Sequence, residues 1–86
     1  VKVTYDMTVS EVNFFHHTNR TVGLMIMERG NTYTSKQLDE LLRDICHMFN
    51  DDCDIETVGA NRPHLGAVSL KITYFGNVAE YQLYLR

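Results

Sequence analysis

The densest chemistry in the chain is the stretch CHMFNDDCDIE, Cys46 to Glu56, which holds two thiols, an imidazole and four carboxylates in eleven residues. Thiolates, imidazoles and carboxylates are the ligands of zinc, so metal binding is the first chemistry to test. A structural zinc site normally shows two close ligand pairs, such as two CxxC elements or CxxC with HxxxH. Here Cys46 and Cys53 are seven residues apart and no second pair exists; His16 and His17 are adjacent, and His47 and His64 stand alone. Calcium fits no better. Asn50, Asp52 and Asp54 alternate like the first ligands of an EF-hand loop, but its sixth position, where glycine makes the turn, is Ile55, and its twelfth, where glutamate closes the shell, is Asn61. The two cysteines read instead as small apolar residues at the edge of a core. No metal and no cofactor is expected.

Catalytic patterns are missing as well. Cys46 and His47 are sequence neighbours, about 100° apart on a helix, so they do not form a nucleophile and base pair on their own. The chain has no GxSxG, no phosphate-binding P-loop, no GxGxxG and no HExxH. The segment FFHHTNR, with Phe14, His16, His17 and Arg20, is the alternative place for a ligand. Read as a loop, it offers rings, imidazoles and a guanidinium to a nucleotide or a peptide; its plainer reading is a hydrophobic anchor, Phe14 and Phe15, followed by polar residues.

These residues must be held by a small fold. Residues 1 to 9, VKVTYDMTV, alternate strictly and predict a half-buried strand. Glu11 to Arg20 is expected to be loop. Thr21 to Glu28 then predicts a second strand with both faces apolar, Val22, Leu24 and Ile26 against Met25 and Met27. The helix signal is clearer: Thr34-Ser35-Lys36-Gln37 has the form of a capping box, and Leu38, Leu41, Leu42, Ile45, Met48 and Phe49 form one apolar stripe ending near Asn50. Cys53, Ile55 and Thr57 alternate with Asp54, Glu56 and Val58, a short strand. Finally AVSLKITYFGNVAEYQLYLR predicts a hairpin about Gly76-Asn77, its inner face Val68, Leu70, Ile72, Tyr74, Ala79, Tyr81, Leu83 and Leu85. That turn would pair Phe75 with Val78, Ile72 with Tyr81 and Leu70 with Leu83. The expected architecture is α+β in a single domain, residues 1–86: an antiparallel sheet of four to five strands in the order β-β-α-β-β-β, with one amphipathic helix packed on one face.

Composition then bounds the function. A chain of 86 residues with 44% hydrophobic and 22% charged residues and one proline is an ordinary small globular domain. It has no apolar run long enough to span a bilayer and no signal-like N-terminus. Two cysteines are too few for a disulfide scaffold, which points to a reducing cytosol, that of a host cell if the protein is viral. The net charge of −3 is uneven: Lys36 to Glu56 holds seven acids against two bases, while the remainder carries a surplus of two bases. Phosphates would be repelled by the middle segment, so direct nucleic-acid binding there is disfavoured and a basic protein surface is the natural partner. The expected function is a small non-enzymatic protein-binding module, an inhibitor or adaptor of the kind encoded by phages and mobile elements. Its contact residues are Glu40, Asp44, Asp51, Asp52, Asp54 and Glu56, a row of charge able to mimic nucleic acid, together with the methionines Met25 and Met27. The alternative is a small-ligand or nucleotide-binding homodimer that uses the 14–20 segment.

Overall fold

The computed structural model describes residues 6–59 and 66–86. Two helices and four strands follow one another as α1 (Val9–Glu28), β1 (Thr32–Tyr33), α2 (Ser35–Met48), β2 (Asp54–Val58), β3 (Gly66–Tyr74) and β4 (Asn77–Leu85). The α+β class holds. Within it, Val9–Glu28 is one long helix where the end of a first strand, a loop and a second strand were expected. Residues 1–5 of the expected first strand and residues 60–65 of the loop before β3 lie outside the described residues.

Helix α1 has its own start and stop signals. Thr8 caps it: the Glu11 amide donates to the Thr8 hydroxyl at 3.1 Å, and the Thr8 amide donates back to the Glu11 carboxylate at 3.1 Å. This is a reciprocal capping box that satisfies two otherwise orphaned N–H groups. At the other end Gly30 takes a left-handed φ of 72°, its N–H donates to the Met27 carbonyl, and the Asn31 N–H donates to the Ile26 carbonyl, the two bonds of a Schellman stop. Between them Phe15, Thr18, Val22 and Ile26 are buried, at offsets of three, seven and eleven, a helical stripe. Alternating residues at 1–9 and an apolar run at 21–27 resemble strands because a short apolar run does not distinguish strand from helix by period.

Helix α2 follows its sequence signals. Thr34 and Gln37 form the capping box, with the Gln37 amide donating to the Thr34 hydroxyl at 3.2 Å and the Thr34 amide to Gln37 Oε1 at 3.0 Å. Leu38, Leu41 and Ile45 are buried along it, and Phe49 at its C-cap is fully buried. The stop is a second Schellman pair, Asn50 N–H to the His47 carbonyl and Asp51 N–H to the Cys46 carbonyl, with Asn50 at φ 55° in the position usually held by glycine.

The strands form one mixed sheet in the order β1-β4-β3-β2. β2, β3 and β4 are antiparallel neighbours, while the two-residue β1 runs parallel to β4. The hairpin forms with the expected faces but a register two residues from the expected one. Tyr74 pairs with Asn77, Ile72 with Ala79, Leu70 with Tyr81 and Val68 with Leu83. The turn is Phe75-Gly76, both at positive φ (46° and 83°), the backbone that a two-residue hairpin loop demands. A shift of two leaves every side chain on its own face, so alternation alone does not detect it. Charge distinguishes the two registers: the observed one sets Lys71 directly opposite Glu80, with Nζ and Oε1 3.5 Å apart, whereas the expected one sets Lys71 against Gln82.

Both helices cover the same face of the sheet. Val68, Leu70, Ile72, Tyr74, Leu83, Leu85 and Tyr33 meet Phe15, Val22 and Ile26 of α1 and Leu38, Leu41, Ile45 and Phe49 in one core. Each fully buried aliphatic or aromatic side chain there contributes about 1.5–3 kcal/mol. At one end four rings close the core: Phe15 stacks on Tyr74 with centroids 6.0 Å apart, and Phe14, Phe49 and Tyr74 meet at 5.4–6.1 Å. Among the described residues the opposite face of the sheet carries no helix.

Candidate functional site: the bare sheet face and its acidic edge

Alternation along three strands decides what the helix-free face displays. Ile55 packs on the core, so Asp54, Glu56 and Val58 point the other way and are exposed. Register then places them in rows across the sheet: Asp54, Thr73 and Val78; Glu56, Lys71 and Glu80; Val58, Ser69 and Gln82; and, beyond the end of β2, Ala67 and Tyr84. The middle row holds one cation between two carboxylates. Val58, Val78 and Tyr84 are 44%, 56% and 49% exposed on this face, and Phe75 at the hairpin tip is 41% exposed. The surface therefore mixes apolar contact area with a net negative charge, three carboxylates against Lys71. Among the described residues β2 is also an edge strand, with β3 on one side only.

The other acids named from sequence lie elsewhere. Glu40 and Asp44 are exposed on α2, on the side turned away from its buried Leu41 and Ile45, and so belong to the helix layer. Asp51 and Asp52 occupy the turn that follows α2; Asp51 lies 3.6 Å from the His47 imidazole and accepts a hydrogen bond from the Cys46 thiol at 3.4 Å. The expected single row is thus two groups on opposite layers, joined at the α2–β2 turn. Met25 and Met27, expected on one strand face, sit about 200° apart on a helix: Met25 packs on the core, and Met27 is 71% exposed beside Leu24.

The 14–20 segment is the middle of α1, not a loop. Phe14 turns inward, 5.7 Å from the Tyr74 ring and 6.1 Å from that of Phe49, while His16, His17 and Arg20 are exposed on the outer side. The four do not converge. Tyr81, a residue given no role from sequence beyond the inner face, locks α1 to the sheet by donating its hydroxyl proton to the Asn19 carbonyl at 2.8 Å. Gly23 lies against it: a β-carbon there would meet the Tyr81 ring at an ordinary contact distance of 3.5 Å.

The thiols are poor nucleophiles in this setting. Burial, with Cys46 and Asp54 nearby, pushes the Cys53 thiol up to about 11, and burial plus the Asp51 hydrogen bond raises that of Cys46. A thiol held protonated neither attacks nor ligates readily. Among the described residues no group of three or more His, Cys, Asp or Glu side chains is placed to hold a metal ion, and no helix is long and apolar enough to cross a membrane.

Sequence reasoning also passed over a cavity at the β1 edge of the molecule, of about 320 Å³, lined by Arg29, Thr32, Tyr33, Gln37 and Arg86. These residues come from the end of α1, from β1, from the first turn of α2 and from the residue after β4, so no local pattern links them. No family model, no curated protein and no solved structure matches the chain.

Proposed function

We propose that the protein is a non-enzymatic binding module, an inhibitor or adaptor acting in the cytosol, that docks a basic surface of another protein onto the bare face of its sheet. The observation that carries this reading is the make-up of that face. Val58, Val78 and Tyr84 supply apolar area, while Asp54, Glu56 and Glu80 outnumber Lys71. An aromatic and aliphatic patch crossed by charge of one sign favours a partner bearing lysines or arginines around an apolar centre. Alternating carboxylates along β2 follow the spacing of a phosphate row closely enough for the partner to be a nucleic-acid-binding protein. The phage or mobile-element setting remains part of this reading.

A second copy is a poorer occupant of the same edge. Antiparallel pairing of β2 with its own copy about a two-fold axis through Glu56 would set Glu56 against Glu56, and like charges directly opposite are destabilising. The test is capture of a partner from the host cell, repeated with three variants and over a salt series. Asp54→Asn/Glu56→Gln and Tyr84→Ala are each expected to lose the partner, and rising salt to release it, whereas Glu40→Gln/Asp44→Asn on α2 should keep it. A partner that survives the first two variants, or that is lost with the α2 variant alone, would refute docking on the sheet.

A further inference from the structure

We propose that Cys46 and Cys53 are a reversible dithiol–disulfide pair that clamps the corner between α2 and β2 when the surroundings turn oxidising. The pair is separate from the bare sheet face and stands or falls independently of partner docking. These are the two cysteines of the chain, and their thiols are in hydrogen-bonding contact, Cys53 donating to the Cys46 sulfur. The stop of α2 makes that contact. After Phe49 the backbone reverses: the Asp51 N–H returns to the Cys46 carbonyl at 2.9 Å and the Asp52 N–H to the Phe49 carbonyl at 3.0 Å. Asn50 and Asp51 both take left-handed φ, 55° and 62°, so the next residue but one comes back beside the last turn of α2. There Cys53 packs on the core, one residue before β2 begins. Both thiols are free and neither is fully buried, which leaves them open to a small reagent.

The surroundings give the two sulfurs different roles. Burial and the Asp51 carboxylate, which accepts from the Cys46 thiol at 3.4 Å, raise Cys46, while the bond from Cys53 opposes that rise. Burial, with Cys46 and Asp54 nearby, pushes Cys53 up to about 11. Cys46 is therefore the thiol that enters the exchange. With a small disulfide such as oxidised glutathione as the oxidant, the Cys46 thiolate bonds one glutathione sulfur and expels the other as a thiolate, which takes up a proton. Cys53 then gives up its proton, bonds the Cys46 sulfur and expels the second glutathione. Two protein thiols are oxidised to one disulfide, and one glutathione disulfide is reduced to two thiols.

Raised thiols make this exchange slow, yet they favour its product, because a reduced pair that does not ionise gains no stabilisation as a thiolate. The bond closes a short loop, Cys46 to Cys53, and ties the end of the helix layer to the strand that carries Asp54 and Glu56. A crosslink across a loop of this size removes freedom chiefly from the unfolded chain, so the oxidised protein should melt roughly 10–20 °C above the reduced one. By linkage the same gain appears as a preference of the folded chain, over the unfolded one, for the disulfide.

The test takes the whole chain, reduced, into mixtures of oxidised and reduced glutathione of stepped ratio at mildly alkaline pH, once folded and once in urea. Remaining thiols are blocked with N-ethylmaleimide and the products read by peptide mass mapping. The expected product is a monomer with a Cys46–Cys53 link, half-formed in the folded chain at a ratio at least about tenfold more reducing than in urea, and with the raised melting midpoint. Cys53→Ser should instead accumulate glutathione on Cys46. Asp51→Asn, which suits the left-handed backbone there, should oxidise severalfold faster by freeing the Cys46 thiolate. Should Cys53→Ser fail to fold, the link, the ratio and the midpoint of the natural chain decide. Glutathione on both cysteines with no link between them, disulfide-bonded dimers, the same ratio folded and in urea, or an oxidised form that melts no higher would overturn the clamp. An unchanged rate in Asp51→Asn would overturn the assignment of Cys46 as the entering thiol.

Discussion

Phe49→Leu probes the joint on which the arrangement of the first helix depends. Phe49 is fully buried at the end of α2 and touches three other rings: Phe14 and Phe15 of α1, each with centroids 6.1 Å away, and Tyr74 at the hairpin end, 5.4 Å away. Leucine keeps most of the apolar volume but removes all three ring contacts. Aromatic pairs contribute about 0.5–1.5 kcal/mol each beyond the area they bury, and contacts that share one residue add incompletely, so a loss of about 2–3 kcal/mol is expected. A domain of 86 residues has a total stability of about 4–13 kcal/mol, and each kcal/mol moves its melting temperature by about 4–8 °C. The midpoint should therefore fall by roughly 10–20 °C, and Phe49→Ala, at about 3–5 kcal/mol, should lower it further. Thermal melts followed by far-ultraviolet circular dichroism, and by the tyrosine signal in the near ultraviolet, read this directly. A change under about 1 kcal/mol in Phe49→Leu would mean that the four-ring joint does not exist as described, and with it the docking of α1.

Three further outcomes test individual features. Thr8→Ala should cost about 1 kcal/mol by removing the side-chain half of the α1 capping box; hydrogen bonds from Thr8, its backbone N–H first, hold the Glu11 carboxyl below its ordinary pKa, a contribution present above the unfolded-state value near 4.5 and lost as pH falls through the lowered one, but the variant keeps that backbone donor and the lost Glu11 N–H bond to the Thr8 hydroxyl does not titrate, so most of the difference between wild type and variant should persist in melts at low pH. Gly23→Ala should leave stability unchanged or raise it by up to about 1 kcal/mol, because alanine is the better helix former and its methyl would meet the Tyr81 ring at ordinary contact distance; a clear loss in denaturant titration would contradict that spacing. The Cys53 thiol, pushed up to about 11 from an ordinary 9, should be alkylated by iodoacetamide at mildly alkaline pH about 100-fold more slowly than an unperturbed thiol, with the normal rate restored in denaturant; peptide mapping by mass spectrometry measures it, and equal rates would refute the burial.

The sequence contained more of α1 than its apolar pattern conveyed. Thr8-Val9-Ser10-Glu11 has the same cap-and-return form as Thr34 to Gln37, and Gly30-Asn31 supplies a left-handed stop; no proline falls between them. Those end signals were outweighed by an alternation that ran across the cap and by the polar middle of the helix, HHTNRT, where only Thr18 is buried. Where cap and periodicity agreed, as in α2, the element and both its ends were legible. The hairpin faces were legible for the same reason, since alternation is a local property of a strand.

What the chain determined by itself is therefore local: the second helix, the alternating faces of β2, β3 and β4, the absence of a paired-ligand motif and the concentration of acid between Lys36 and Glu56. Tertiary structure decided the rest. Strand order put β4 between β1 and β3 and both helices on one side, which separated Glu40 and Asp44 from Asp54 and Glu56 and left one sheet face bare among the described residues. It also brought Arg29, Tyr33, Gln37 and Arg86 to one cavity. Period and caps report what each residue's near neighbours require, whereas convergence of distant segments depends on which buried faces fit together, and that is settled only when the whole core is packed.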